Sequence, residues 1–296
     1  MDIFSHAVAI TVLLFATGNA ALIPFGVLGA VIIDIDVAYS FVARRNPSLY
    51  LLYHGGINHS IFGGTILSVI GFGATLVLSS SGLLPGPMQG AIGLPAFAAV
   101  LAGAYLHLFL DYLAAPGLPL LYPLTEKRFG LSLFPMPLYV LITVLSLASL
   151  GYMFVWGLTP GLAEIYGVIF TGIIVISLGM KWFVYHKTPG KSYQNFHSFQ
   201  WIVIQEEHES YSVVVYDIFR GVIRKLSFEK YRNITPSDAR RYDNLPEVKR
   251  HKYFSYISTI EKNGSGITFR DQVREDGIIT YPPWYPSVTI HPDEAA

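Results

Sequence analysis

A chain of 296 residues that is 52% hydrophobic and only 14% charged, with a mean hydropathy of +0.45, is too apolar for a soluble globule and reads as a membrane protein. Twenty acids balance twenty bases and no block of like charge occurs, so nucleic-acid binding is not expected. Cysteine is absent, which excludes disulfides and thiolate ligands and leaves His, Asp and Glu to hold any metal.

Six apolar segments, at 3–20, 22–40, 59–80, 92–115, 133–156 and 163–185, approach the roughly 20 residues that cross a bilayer. The N-terminus has no basic region of the kind that opens a secretory signal, so the first segment is expected to belong to the mature protein. Gly18, Asn19, Pro24 and Gly26 crowd the junction of the first two segments, which predicts a tight hairpin of short or tilted spans.

Up to residue 180 the acids are Asp2, Asp34, Asp36, Asp111, Glu126 and Glu164, and the bases are Arg44, Arg45, Lys127 and Arg128. All other charges follow, which marks a boundary between residues 181 and 191. The expected fold is an all-α polytopic bundle of about five or six transmembrane helices over 1–187, followed by a small β-rich soluble domain over 188–296. In that second part, β-branched and aromatic runs at 199–205, 211–218, 222–228, 253–260 and 267–270 predict a mainly antiparallel β domain. Asn263-Gly264 marks a turn, one short helix is expected over 236–242, and the end at 292–296 reads as loose.

If all six segments cross, Arg44 and Arg45, Lys127 and Arg128, and the tail share one side, while the opposite connections carry no Lys or Arg. The positive-inside rule makes that side cytoplasmic. The same topology gathers His6, Asp34, Asp36, His54, His59, His107 and Asp111 at that face, whereas randomly placed ionisable residues would scatter over both. His107 and Asp111, four apart, share one helix face. Asp34 and Asp36 are about 200° apart on a helix, so both can bind only where the helix ends or the chain extends.

Histidines among the seven favour Zn²⁺, or Mn²⁺, over the all-oxygen shells of Mg²⁺ and Ca²⁺. One or two ions are expected, with Asp111 as the bridge if there are two, activating water against a phosphoester. Asp34 or Asp36 is the expected general base. Asp2 reads as an electrostatic partner of a helix N-terminus, and Arg44–Arg45 and Lys127–Arg128 read first as topology anchors. His186, His197, His208, His251 and His291 show no metal-like spacing.

The chain resembles the membrane-bound metal-dependent hydrolases, also described as LexA-binding inner-membrane-associated hydrolases. That family's pattern opens with Asp and then His, here Asp2 and His6, followed by Pro-Asp-x-Asp, here Ile33-Asp34-Ile35-Asp36 with Ile in place of Pro. His-Arg-Gly-x-Thr-His-Ser follows as His54-Gly55-Gly56-Ile57-Asn58-His59-Ser60, with Gly55 in place of Arg and Asn58 in place of Thr. His-x-x-x-Asp is His107 to Asp111, and Gly-x-x-x-Leu-x-Pro is Gly117 to Pro123. The resemblance covers residues 1 to about 130, and a trailing β domain occurs in some relatives. It implies a hydrolase, and the likeness of its His-x-x-x-Asp pair to that of zinc phospholipases implies a lipid or lipid-linked phosphoester substrate met at the membrane. The competing expectation is a divalent-cation or proton transporter using the same His and Asp residues.

Overall fold

The structure, a computed structural model, describes residues 1–114, 116–195 and 199–291. His197 and the chain end at 292–296 lie outside the described residues. Contacts divide the chain into two compact units, Met1–Arg44 with Leu51–Ser177, and Arg45–Tyr50 with Leu178–Ala296.

The first unit is helical: α1 (Ile3–Ala16), α2 (Ile23–Ile32), α3 (Asp36–Arg45), α4 (Ile61–Ser80), the short α5 (Gly86–Gly90), α6 (Leu94–Leu113), α7 (Met136–Trp156) and the first part of α8 (Pro160–Lys187). Among the described residues, five stretches are long and apolar enough to cross a membrane: Ala20–Arg45, which takes in α2 and α3, then α4, α6, α7 and α8. The sixth expected span falls short. The 14 residues of α1 cover about 21 Å at 1.5 Å per residue, against about 30 Å of hydrocarbon. The helix stops because Thr17 closes its last turn on Leu13 and Gly18 takes a φ of +75°.

Local sequence explains the starts. Asp2 caps α1, accepting from the Ser5 N–H at 2.9 Å, and Ser60 caps α4, accepting from the Gly63 N–H at 2.9 Å. The span Ala20–Arg45 tightens into a 3₁₀ turn at Ile33–Ile35 before α3 begins.

The α2–α6 contact sets the centre of this unit. A Cβ on Gly103 would stand 2.0 Å from the Gly26 carbonyl oxygen, and one on Gly29 would stand 1.9 Å from that of Val100. The two backbones touch because glycine faces both, the small-residue packing of membrane helices. Ile10, Phe25, Ala30, Ala96 and Val100 close the core around that crossing.

The second unit holds two four-stranded sheets. In the first, β1 (Lys191–Gln194), β2 (Gln200–Glu206), β3 (Ser210–Asp217) and β4 (Gly221–Glu229) pair in order, all antiparallel. In the second, β5 (Tyr231–Arg232) pairs in parallel with β6 (Thr259–Asn263), and β7 (Gly266–Arg270) and β8 (Ser287–Ile290) follow antiparallel. The expected helix appears as α9 (Pro236–Arg240), capped by Thr235, and the Asn263-Gly264 turn joins β6 to β7. The expected strand over 253–260 is corrected: Tyr253 and Phe254 close a helix, α10 (Pro246–Phe254), and the strand starts only at Thr259. Pro246 in the first turn, with Glu247 beside it and His251 and Lys252 in the last, supplies the helix signals that the aromatic run obscures. A single turn, α11 (Gln272–Glu275), follows β7.

His251 is fully buried on α10, with Nδ1 3.1 Å from the Tyr285 carbonyl oxygen and Nε2 3.2 Å from Ser255 Oγ. Burial pushes its pKa down to about 4, and Arg274 and Lys252 nearby push the same way. With a folded pKa below the unfolded value of about 6.5, the unfolded chain binds the extra proton. The stabilisation, up to about 3 kcal/mol, is therefore complete above pH 6.5 and lost as pH falls toward 4.

Two predictions follow from these contacts. Gly103→Ala, overpacked against the Gly26 carbonyl, loses about 1–3 kcal/mol in detergent unfolding, whereas Gly73→Ala, with open space around it, is neutral. Hydrogen exchange of α10, corrected for intrinsic rate, accelerates between pH 6.5 and 4.5 in the native chain, and His251→Leu removes that dependence.

Candidate metal centre

Four helix ends and one loop meet at this site. His6 lies in the second turn of α1, Asp34 in the 3₁₀ turn after α2, and Asp36 at the start of α3. His54 and His59 precede α4, and His107 and Asp111 occupy the last two turns of α6.

His107 Nδ1 stands 2.6 Å from the Ala30 carbonyl oxygen. A carbonyl only accepts, so Nδ1 carries the proton and Nε2 is left as a lone pair. The close α2–α6 crossing delivers that carbonyl. His107 Nε2 lies 3.3 Å from His59 Nε2, 3.5 Å from Asp34 Oδ1 and 3.3 Å from Asp111 Oδ2. His59 Nε2 lies 3.3 Å from Asp34 Oδ1 and 3.5 Å from Asp111 Oδ2. Tetrahedral bonds of about 2.0–2.1 Å put neighbouring donors about 3.3–3.4 Å apart, so these five separations suit donors around one ion.

His6 stacks on His107 with ring centroids 3.8 Å apart, and its Nε2 lies 3.2 Å from Asp111 Oδ1, an oxygen the Met1 amino group also contacts. Neither ring nitrogen of His6 makes an aligned hydrogen bond, nor does His59 Nδ1, although Asp36 Oδ2 is 3.1 Å from it. The distances are those of bonded partners but the directions are not, as expected when donors aim at a common point rather than at one another.

Among the described residues, three groups of side chains have donor atoms close enough to share an ion: His6, His107 and Asp111; Asp34, His59 and His107; and Asp36, His54 and His59. The structure thus brings together all seven residues singled out from the sequence. It also shows how Asp34 and Asp36 both take part despite pointing apart. The His59 ring lies between them, with Nε2 toward Asp34 and Nδ1 toward Asp36.

Asp36 serves two histidines, since its Oδ1 is 2.8 Å from His54 Nδ1. It also accepts from the Gly55 N–H at 3.3 Å, in a backbone turn where Gly55 takes a φ of +80°. Glycine at this position, where the resembled family has arginine, suits that turn. Arg128 donates twice to the Gly117 carbonyl, at 3.1 and 2.9 Å, and the Arg44 guanidinium stacks 5.8 Å from the Tyr53 ring centre. Asp2 accepts from Ser5 and from Thr143 Oγ1 at 2.8 Å, which gives it a capping role.

The residues 1–186 match the model of a family described as YdjM inner membrane protein. The chain belongs to the YdjM inner membrane protein family. All seven clustered side chains fall within the matched stretch, so the site is part of the YdjM region and not of the β-rich region after it. A search of the curated proteins and one of the solved structures each returned no match.

Sequence reasoning missed Asn58 as a working residue. Buried, it donates from Nδ2 to the Ile33 carbonyl at 3.1 Å and accepts from Tyr39 OH at 2.8 Å, tying the turn that carries Asp34 to the loop that carries His59. Its signal was an amide directly before a histidine in an apolar setting. Asn58→Leu is expected to weaken divalent-metal affinity about 10- to 100-fold, as loss of an outer supporting partner does, while Asp2→Asn leaves it unchanged. Titration calorimetry on the detergent-solubilised chain measures both.

Proposed function

We propose that this chain is a metal-dependent membrane hydrolase that cleaves a phosphoester or phosphodiester such as a lipid head group, with its ion held by Asp34, His59, His107 and Asp111 and with His6 alongside. One observation carries the reading: two imidazole Nε2 atoms face each other at 3.3 Å between two carboxylates. The His107 lone pair and the two carboxylates crowd one buried space, where a dication would attract all three and the His59 Nε2 as well. The mixed nitrogen and oxygen donors favour Zn²⁺, with Mn²⁺ second. The Asp34, His59 and His107 group shares a histidine with each of the other two groups and is taken as the seat of a single ion. Bound there, the ion would supply Lewis acidity, easing loss of a proton from water and drawing charge from a phosphoester.

The protein's own groups divide the remaining work. The Ala30 carbonyl holds the His107 ring and Asp36 holds that of His54, with His59 Nδ1 3.1 Å from its other oxygen, as outer carbonyls and carboxylates support metal-binding histidines. Asp36 is therefore read as a positioning residue, and the proton-transfer role passes to His54. With Nδ1 on Asp36 and 37% of its side chain exposed, His54 keeps Nε2 for moving a proton to or from the reacting group. Asp34 and Asp111 keep 13% and 10% of their side-chain surface open, which leaves an approach for substrate beside His54.

The basic residues support a cytoplasmic site. Five spans leave Arg44 and Arg45, Lys127 and Arg128, and the tail on one side, together with the cluster. A transport path would need donors through the membrane depth, and these gather at one set of helix ends. Mass spectrometry of the purified chain is expected to find about one Zn²⁺ or Mn²⁺ per chain, lost in His107→Ala with Asp111→Asn. Hydrolysis of a generic phosphodiester is expected to fall at least about 100-fold in His54→Gln with the metal retained. An ion stoichiometry unchanged by the double substitution would overturn the site, and full activity in His54→Gln would overturn its role.

A further inference from the structure

The second unit carries an exposed surface that the proposed reaction does not use. The end of α8 packs on one face of the first sheet, where Val184, Trp201, Val203, Val214 and Tyr216 form a buried cluster with Met180 and Ile218 against it. The strand directions are fixed by two further contacts. Lys181 Nζ donates to the Ser192 carbonyl at 3.2 Å, and Gln205 donates to the Pro189 carbonyl just past the helix end. Thus β1 runs back alongside the end of α8, β2 returns, and β3 runs back again, which carries the β3–β4 turn to the Met180 side of that helix end.

At 28 residues, α8 is about 42 Å long, which exceeds the hydrocarbon core, and its exposed Trp182 and Tyr185 lie between Lys181 and Lys187 as an aromatic belt does. Ile218, at the turn, packs against the same buried cluster as Met180, one residue before that belt.

The turn itself is built to present its apolar tip. Buried Asp217 accepts from the Phe219 N–H at 2.9 Å and the Arg220 N–H at 3.0 Å, so the turn's own amides satisfy the acid. Phe219 is 75% exposed and sits edge-on to Phe199, with centroids 5.5 Å apart. Val222 and Ile223 are exposed beside it, and Arg220, Arg224 and Lys225 are the only charges from 218 to 225. Val222 and Lys225 lie opposite Tyr216 and Val214, on the sheet face that packs against α8.

We propose that this hairpin tip docks on the bilayer that α8 enters. Phe199, Phe219 and Val222 enter the interface, and Arg220, Arg224 and Lys225 meet anionic head groups. A contiguous apolar tip with basic flanks is the composition of a membrane-surface contact, and the adjoining span holds it at the right height.

The lack of cysteine makes the test direct. Phe219→Cys and Val222→Cys, each nitroxide-labelled in the full chain, are placed in nanodiscs of phosphatidylethanolamine and phosphatidylglycerol. Asn263→Cys, in the β6–β7 turn, serves as the water-exposed reference. The ratio of oxygen to nickel-chelate collisions is expected to be several-fold higher at 219 and 222 than at 263. It should fall by half or more when the anionic lipid is omitted, or when Arg220, Arg224 and Lys225 are all changed to Glu. Water-like ratios at both sites, protection from both reagents as under a protein partner, or indifference to lipid charge would overturn the proposal.

Discussion

Two imidazoles turned toward each other are the arrangement on which the rest of this YdjM-family structure depends. His107 presents an unprotonated Nε2 to His59 Nε2 across 3.3 Å, with Asp34 and Asp111 beside the same space. In an apolar bundle, unpaired ionisable groups are costly, so such a gathering persists only if something reconciles it. The fold supports it at several points. Glycines let α2 and α6 touch, the touch brings the Ala30 carbonyl under His107, and Asn58 ties the Asp34 turn to the His59 loop.

The two units obey different solvents. The helices of the first keep large apolar side chains such as Val144, Phe154, Val168 and Val175 outward, as lipid requires. The second buries its apolar residues between sheets and helices, with Ile202, Val213, Val273 and Ile279 at one core and Val248, Ile260 and Phe269 at another. Large apolar side chains outside those cores concentrate near the end of α8 and at the β3–β4 turn, close to where the chain leaves the membrane-crossing helices.

Much of this was legible in the residues alone. A His and an Asp four apart near the end of an apolar segment can only share a helix face, and the positions of His6, Asp34 and His59 in their segments already sent them to the same end. The period-two runs of the tail foretold β2, β3 and β4 within a residue or two. What was not legible depended on tertiary partners. Nothing local distinguishes Asp34 from Asp36, and only the placement of the His59 ring assigns one to each nitrogen. The role of Ala30 is a backbone carbonyl with no sequence signature. Tyr253 and Phe254 read as strand because aromatic residues favour sheets, yet Pro246 and Glu247 had already begun a helix. The first apolar segment looked nearly long enough to span, but Gly18 ends it early.

The central claim is that imidazole and carboxylate donors from distant parts of the chain enclose one divalent ion. X-ray absorption at the metal edge of the purified protein tests it most directly. The account predicts a first shell of nitrogen and oxygen at about 2.0–2.1 Å, with the outer-shell scattering of two or three imidazoles. An oxygen-only shell, or a chain that takes up no divalent ion from a metal-supplemented preparation, would contradict it.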